Sequence, residues 1–595
     1  MNTKRTTILA LLVIFLASCT DYLEPYPNGD RSRDDIWRYQ DMVQGLVGSC
    51  YDFLPQNYND NEGAYLDCAT DNAVATSSTH PLRRLAIGAI TTGQDPFRTY
   101  WDDDYKAILR LNMFLTDRKG YNTRFIIDPK LDQLVRDRLQ GEAFGLRAFF
   151  QWDLLQKFGG KGMGGQLLGF PIVLEPLDFT QEIDLPRNTY DECVQQILAD
   201  CDSAYKYLPI AHRDFLVENE KDKAYAGARY WGRIDGITTR AIKAMVYLTW
   251  ASPTFNPSGD NSRWDMAAQY AKEVMDFKLN VDGGESKGFK PQDQVNWLSP
   301  NFPGIIWSAR YQNANDAMER MFYPGGFQGN GSMGATQELV DAFPMNNGYP
   351  ITDSRSGYDP AEPYKDRDPR FYSVIFHNDA KAVRAGKTEV MYTFENWGKD
   401  AAGTSSENSL TNYHIKKFVW MGLNWSDGSI NRQPHSKYYI RWAHMVLTFA
   451  EAANHVVGPL DAAKYGLSAK EAMAYLRTRK TYDGANGFET DPYLDEVASA
   501  GETAFDDFVK NERRIETCFE GIRFYDLRRW YDSTNELNKT VHGAIVQKNE
   551  DGSFIYSLNN EVENRAFPSA YLPIPYQEML RMTRLVQNEG WDAWK

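Results

Sequence analysis

The chain has 595 residues, with 65 Lys plus Arg against 80 Asp plus Glu and a formal charge of −15; that acidity argues against nucleic-acid binding, which needs a basic stripe to displace counterions from phosphates. Hydrophobic residues at 42% and charged residues at 24% exclude general disorder, and the length implies two to four packing units. Aromatic residues reach 14%, while His and Cys number only 8 and 6, the composition of a binder more than of a metalloenzyme.

Lys4 and Arg5 precede an apolar run from Ile8 to Ala17. As a helix that run rises only about 15 Å, half a bilayer core, so it reads as a signal-peptide h-region and not as a span. It closes on Leu16-Ala17-Ser18-Cys19, which is similar to a bacterial lipobox and implies cleavage after Ser18 and lipidation of Cys19. Residues 19–36, with Pro25, Pro27, Asn28 and Gly29, read as the lipidated tether. No later segment offers eighteen uninterrupted apolar residues, so the rest of the chain is expected outside the bilayer.

Helical patterns then dominate residues 37–282. Leu139–Phe158 carries Ala143, Leu146, Phe149 and Phe150 before Gly159-Gly160 stops it. Thr189 and Glu192 form a capping box ahead of a stripe of Val194, Ile197, Leu198, Cys201, Tyr205 and Leu208. Arg240–Ser252 and the alanine-rich Trp264–Phe277 follow as amphipathic helices. Residues 283–436 differ in kind: they hold Trp297, Trp307, Trp397, Trp420 and Trp425 among Gly and Pro clusters. A loop-rich aromatic stretch set on a helical scaffold is where a binding surface would be built. Residues 437–595 return to helix, with a second capping box at Ser468 and Glu471. Helix pairs with Ala and aromatic packing positions point to tetratricopeptide-like hairpins, although no fixed 34-residue period is visible.

The motifs of catalysis are weak or absent. Gly329-Asn330-Gly331-Ser332-Met333-Gly334 matches G-x-G-x-x-G but lacks the strand a dinucleotide site needs before it. Gly386-Lys387-Thr388 ends like a P-loop, yet Lys381 occupies the upstream glycine position. Asp102-Asp103-Asp104 cannot converge on one calcium ion and reads as a solvated helix start. Glu512, Glu516 and Glu520 would align on one helix face. Arg513, Arg514, Arg523, Arg528 and Arg529 interleave with them, which favours an ion-pair network over acid–base chemistry. Cys193 and Cys201 are too far apart along a helix for a disulfide. Cys50 with Cys68 could pair, but an odd number of remaining thiols favours buried, unpaired cysteines. No catalytic residue, cofactor or metal is expected.

The stretch Asn511-Glu512-Arg513-Arg514-Ile515-Glu516-Thr517-Cys518-Phe519-Glu520-Gly521-Ile522-Arg523-Phe524-Tyr525-Asp526-Leu527-Arg528-Arg529-Trp530 resembles the signature of the SusD/RagB family, outer-membrane nutrient-binding lipoproteins of Bacteroidetes. Tyr571-Leu572-Pro573-Ile574-Pro575 and the ending Gln587-Asn588-Glu589-Gly590-Trp591 resemble the family's close. Upstream pieces follow in family order. They include Trp101, Tyr105, Ile108 and Asn112, then Glu142-Ala143 with Arg147-Ala148, and Gly159 before Pro171-Ile172. Thr189-Tyr190 with Asp200, Glu338 to Phe343, Arg367-Asp368-Pro369-Arg370 and Ala450-Glu451-Ala452 with Asn454 continue the order. Tyr475 to Thr481 departs from the family's Asn-x-x-Arg-x-Arg-Ala-Gly run.

The resemblance implies a mainly α fold, with four tetratricopeptide-like helix pairs supporting an irregular ligand-binding half. It implies a non-catalytic receptor, anchored on the outside of the outer membrane through the lipid on Cys19. Such a receptor captures polysaccharide or oligosaccharide and passes it to a SusC-like TonB-dependent transporter. A peptide-binding RagB-type receptor with the same partner is the alternative, and a surface glycoside hydrolase a more distant one. Ligand contacts are expected from two regions. Asp71, Asn72 and Arg83 come from the loop before the Trp101 helix, and Tyr311, Phe322, Tyr323, Phe327 and Trp397 from the central loops. Trp101, Trp530 and the signature Arg and Glu residues are expected to be scaffold.

Overall fold

Local sequence signals set the helix ends. In the computed structural model, which describes residues 36–58, 64–177, 183–282, 297–298, 302, 304–309, 314–384, 386–395, 398–425, 431–481 and 484–594, α1 is Gln40–Gly48 and α2 is Arg98–Leu115. The expected 139–158 helix is longer, because Asp128 accepts hydrogen bonds from the Lys130 and Leu131 amides and Pro129 takes the first helical position, so α3 spans Pro129–Phe158. The Thr189 capping box opens α4, Tyr190–Tyr207, as expected. The Asp235 side chain caps α5, Gly236–Ala251, and α6 is Ser262–Phe277. After the loop-rich part come α7, Trp442–Val457, and α8, Ala469–Arg477, behind the Ser468 capping box. Next are α9, Pro492–Ser499, α10, Glu502–Thr517, and α11, Ile522–Trp530.

Successive helices pack on one another from α1 through α8, and α7 also receives α10. Their shared core holds Trp101, Leu139, Phe150, Trp152, Phe158, Leu198, Ala268, Ala271, Ala450 and Phe505, each at most 5% exposed. A second core belongs to the loop-rich part. Phe322, Tyr323, Phe327, Phe343, Phe371, Phe376, Tyr413, Phe418 and Trp297 fill it, joined by Tyr58, Ala73 and Ala75 from upstream and Ile515 and Phe519 from downstream. The unit therefore extends beyond 283–436, because chain from both flanks is needed to close it.

Every sheet among the described residues is a two-stranded antiparallel pair. Strand β1, Ala73–Ala75, pairs with β3, Met333–Ala335. Strand β2, Ile305–Ser308, pairs with β4, Tyr438–Arg441. A long hairpin joins β5, Thr540–Lys548, to β6, Phe554–Asn564. The G-x-G-x-x-G glycines serve packing here. Gly331 has φ +48°, and a Cβ on it would stand 2.1 Å from the Glu407 carbonyl oxygen.

The acidic signature does form an ion-pair network, with a geometry the sequence did not convey. Helix α10 stops at Thr517, so Glu520 sits in the following turn and not on the helix face. Its partners, with those of Glu512 and Glu516, come from distant chain. Glu512 pairs with Arg370 (2.9 Å) and Arg477, and Glu516 with Arg441 (2.6 Å) and Arg479 (2.6 Å). Glu520 accepts from Arg441 and Lys417, both at 2.7 Å. The interleaved arginines turn elsewhere: Arg513 to Asp526, Arg514 and Arg523 to Asp71, and Arg529 to Glu451. Arg528 lies 3.6 Å over the Phe524 ring instead. Asp104 is buried, against the expectation of a solvated acidic triplet, while Asp103 is half-buried and pairs with Lys106. Cys50 and Cys68 are both free, and all five described cysteines are buried. Burial pushes the thiols of Cys50, Cys193 and Cys518 up to about 12, so they stay protonated and unreactive.

Burial alone would raise the Glu451 carboxyl, but Arg529 at 2.6 and 2.7 Å and the Trp530 indole N–H at 2.8 Å reverse this and hold it down at about 2. Its folded value lies below its ordinary 4.5, so its stabilisation is complete above that pH and is lost as pH falls towards 2. The gap is worth about 3 kcal/mol. Glu451→Gln is therefore expected to lower stability at pH 7 by about 3 kcal/mol, since Arg529 keeps a buried charge with only Asp526 against it. In urea titrations the deficit should shrink between pH 5 and pH 3; a deficit independent of pH would contradict this account.

Candidate ligand-binding surface

The loop-rich half presents one surface where half-buried rings and exposed charges meet, and a single helical turn organises it. Asp316, just ahead of the short helix Ala317–Phe322, and Arg320 within it stand four residues apart and form an ion pair on one side of the turn, Asp316 itself being only 8% exposed. Glu319 points the other way and is fully buried. Its Oε1 accepts the Trp420 backbone N–H at 2.7 Å and lies 2.9 Å from His435 Nε2, which fixes the start of the 420–425 segment. The Asn315 N–H donates to the Gln433 carbonyl at 3.0 Å, tying in the 431–433 segment.

Outside this anchor, Asp316 is the hub. Its Oδ2 accepts from the Trp425 indole N–H (3.0 Å) and Arg320 Nε (2.7 Å), and its Oδ1 accepts from Arg432 Nε (3.1 Å). Burial would raise this carboxyl, but the indole N–H and the two guanidiniums together lower it, so it remains ionised. The Arg320 guanidinium lies 5.3 Å from the Trp425 ring centre. Arg320 is 50% and Arg432 42% exposed, whereas Trp420 and Trp425 are half-buried. Gly422 lets the Trp420 indole lie against the backbone, since a Cβ there would come within 2.5 Å of the ring.

The expected central-loop residues lie one layer below. Tyr323 is 1% exposed and Phe322 and Phe327 are fully buried, so none offers a ring face to a ligand; each fills the second core. Tyr323 supports the surface from beneath. Its ring meets Trp425 edge-on at 6.2 Å, and its hydroxyl donates to Met421 Sδ at 3.3 Å. Tyr311, Trp397 and Cys19 lie outside the described residues.

The upstream group is also committed to structure. Asn72 is fully buried, donating to Asp67 Oδ1 (2.7 Å) and accepting from Arg514 Nε (2.8 Å); it cannot reach a ligand. Arg83 pairs with Glu563 and donates to the Thr76 carbonyl at 3.0 Å. Asp71 keeps 22% of its side chain exposed, and Arg523 and Arg514 clamp it at 3.0 and 3.1 Å. Burial would raise this carboxyl, but those two guanidiniums hold it far below the usual range. Trp420 and Trp425 were visible in sequence as members of an aromatic-rich stretch. The four-residue spacing of Asp316 and Arg320 was the unused clue to what surrounds them.

An indole edged by a carboxylate and two guanidiniums can take an apolar ring face and hydrogen-bond the polar groups around it. Among the described residues, no group of three or more His, Cys, Asp or Glu could hold a metal ion, and no helix is long and apolar enough to cross a membrane.

Comparison with known proteins was consistent across the chain. A family model described as the SusD family matches residues 303–591, and one described as "Starch-binding associating with outer membrane" matches residues 21–230. SusD-like protein P38 of Formosa agariphila is 22% identical over 540 residues, covering 89% of this chain and 91% of its own. SusD-like protein P2 of the same organism is also 22% identical, covering 99% of each chain. Among solved structures, a SusD-like protein from Bacteroides fragilis superposes with a TM-score of 0.68 at 21% identity, covering 94% of this chain and 98% of its own. A SusD-like carbohydrate binding protein from the same species gives 0.66 at 17% identity, covering 92% and 99%.

The two carboxylates of the helical turn should separate in a stability measurement. Asp316 is 8% exposed, but its arginine partners are 50% and 42% exposed, so Asp316→Asn is expected to cost about 1 kcal/mol in urea unfolding. Glu319→Gln perturbs a buried acceptor and is expected to cost about 2–3 kcal/mol. A larger loss for Asp316→Asn would contradict this division between surface and anchor.

Proposed function

The chain belongs to the SusD family, and on that premise we propose that it is a non-catalytic glycan-binding lipoprotein of the outer membrane. In this reading it captures a polysaccharide or oligosaccharide on the loop-rich surface and delivers it to a SusC-like TonB-dependent transporter. The observation that carries the reading is half-buried Trp425 held beside exposed Arg320 and Arg432 around Asp316.

A pyranose has an apolar C–H face and a rim of hydroxyls. The Trp425 ring, held by the Asp316 carboxylate, gives that face a platform with little side-chain freedom left to lose. The guanidiniums and the carboxylate supply donors and an acceptor at the ring's edge. Because both arginines are solvated, each hydrogen bond gained replaces one to water, and the affinity stays modest. Modest affinity suits a receptor that must hand its ligand on. The lipid on Cys19 would hold the protein at the membrane, and a single acyl chain would not suffice for stable anchoring.

Affinity electrophoresis against a polysaccharide panel tests the binding role. Retardation by at least one glycan is expected, with Trp425→Ala reducing it roughly tenfold, the scale of one aromatic contact. No retardation by any glycan, together with calorimetric binding of peptides, would overturn the glycan assignment. Release of products from a retarded glycan would overturn the non-catalytic one. Cys19→Ala is expected to move the protein from the membrane fraction to the soluble one; unchanged membrane association would count against the lipid anchor.

A further inference from the structure

An open groove with a volume of about 450 Å³ lies along α2 and shares no residue with the Trp425 surface. Ile108 and Leu109 of α2, with Val173, Ile183, Leu185 and Met582, line it. Leu109, Val173, Ile183 and Leu185 are only half-buried, so their side chains keep surface that an occupant can reach. The walls ask for apolar contact, because the Tyr105 hydroxyl is already spent on the Pro171 carbonyl at 2.8 Å. Leu174 and Leu580, next in sequence to wall segments, are 40% and 56% exposed and extend the apolar area that would gain from cover. The accessible charge at the mouth is positive. Arg581 and Lys106 are 67% and 59% exposed, whereas Glu578 is 12% exposed and held by Arg581 at 2.8 Å, and Asp102 is half-buried.

The chain ahead of Ile36 carries a segment of matching chemistry, Asp21-Tyr22-Leu23-Glu24-Pro25-Tyr26-Pro27. Each proline fixes its own φ and disfavours helix at the residue before it. The stretch is thus disposed to the extended polyproline form, which enters apolar grooves with little entropy left to lose. Its side chains are apolar except for Asp21 and Glu24, the complement of an apolar groove with cations at its mouth. The chain also begins in the right place. Ile36 and Trp37 pack on the helical core, and Lys119 Nζ, just beyond α2, lies 5.8 Å from the Trp37 ring. Leu109 is about 9 Å back along α2 from Leu115. Residues 28–35 separate Pro27 from Ile36, an extended reach of roughly 26–29 Å.

We propose that Tyr22–Pro27 docks in this groove, with Leu23 and the tyrosine rings among the aliphatic side chains and Asp21 and Glu24 towards Lys106 and Arg581. Docking shortens the tether. Undocked, residues 19–35 could hold Cys19 up to roughly 60 Å from the body; docked, Thr20 and Asp21 leave roughly 7 Å. The groove therefore sets how closely, and by which face, the body is held to whatever anchors Cys19. This goes beyond the glycan reading and stands whether or not Cys19 is lipidated.

Electron-electron double resonance on the full chain carrying Cys19→Ala tests it, with spin labels at Asn28→Cys and Glu175→Cys. The five remaining cysteines are buried, so only the introduced thiols take label. One narrow, short distance is expected, unchanged when labelled protein is diluted into unlabelled. Val173→Glu in the wall, and Tyr22→Ser with Leu23→Ser in the tether, should each lower the ratio of docked to undocked chain roughly tenfold through lost apolar burial. The tether variant leaves the body's sequence intact, so its Tm should not move, and it keeps the test decisive if Val173→Glu unfolds. A broad distribution in the parent protein would overturn the proposal, as would a narrow distance that survives the tether variant. A short distance lost on dilution would also overturn it, since the groove would then be filled by a second copy.

Discussion

The structure depends on how α10 crosses from one core to the other. Its first half sends Phe505, Phe508 and Val509 into the helical core, and past its middle Ile515, then Cys518 and Phe519, enter the loop-rich one. Glu512, Glu516 and Glu520 line that passage, each at most 6% exposed. Such carboxylates are tolerable in the interior only if every charge is matched in place. The matching cations come from all around the crossing: Arg370 and Lys417 from the loop-rich half, Arg441 ahead of α7, and Arg477 and Arg479 at the end of α8. Lys417 also donates to the Cys518 carbonyl at 2.8 Å and the Glu516 carbonyl at 3.2 Å, closing the helix end. Removing one partner would strand another, so the network sets the position of the two cores relative to each other more than it adds net stability.

This junction explains how an irregular half can present a defined surface. Loops cannot bury their own backbone without partners. Here the second core closes with residues borrowed from upstream and downstream, and its most exposed layer rests on it. Trp425 stands on Tyr323, Tyr323 stacks on Phe327 and Phe376, and buried Glu319 holds the Trp420 backbone. The high aromatic content is thus mostly structural. Rings fill the space that regular sheets or helices would fill elsewhere, and a small remainder is left half-exposed.

Which parts of this were legible in the sequence follows the range of the interactions. Capping boxes at Thr189 and Ser468 are local, and both were readable to the residue. The early start of α3 was also local, in Asp128 and Pro129, but the apolar stripe drew attention further on. The glutamate triplet was readable as an ion-pair network but not in its partners, because Arg370, Arg441 and Arg477 are remote in sequence. Nearby arginines in the same stretch were instead taken by Asp71, Asp526 and Glu451. Among the central rings, sequence marked the region and missed the layer. Nothing in the string Met321-Phe322-Tyr323-Pro324 says that these rings face inward while Trp425 faces out.

That failure has a physical cause that bears on specificity. A residue that holds the junction has its neighbours fixed by charge matching and packing, so its chemistry is dictated by the fold and leaves a recognisable order along the chain. A residue that meets ligand has few neighbours to satisfy. Within one helical turn, Asp316 holds two half-exposed arginines and an indole, whereas Glu319 is fully buried against His435 and a backbone amide. The motif that resembles the family signature therefore reports on the frame, whereas the proposed ligand surface lies where the frame makes weaker demands.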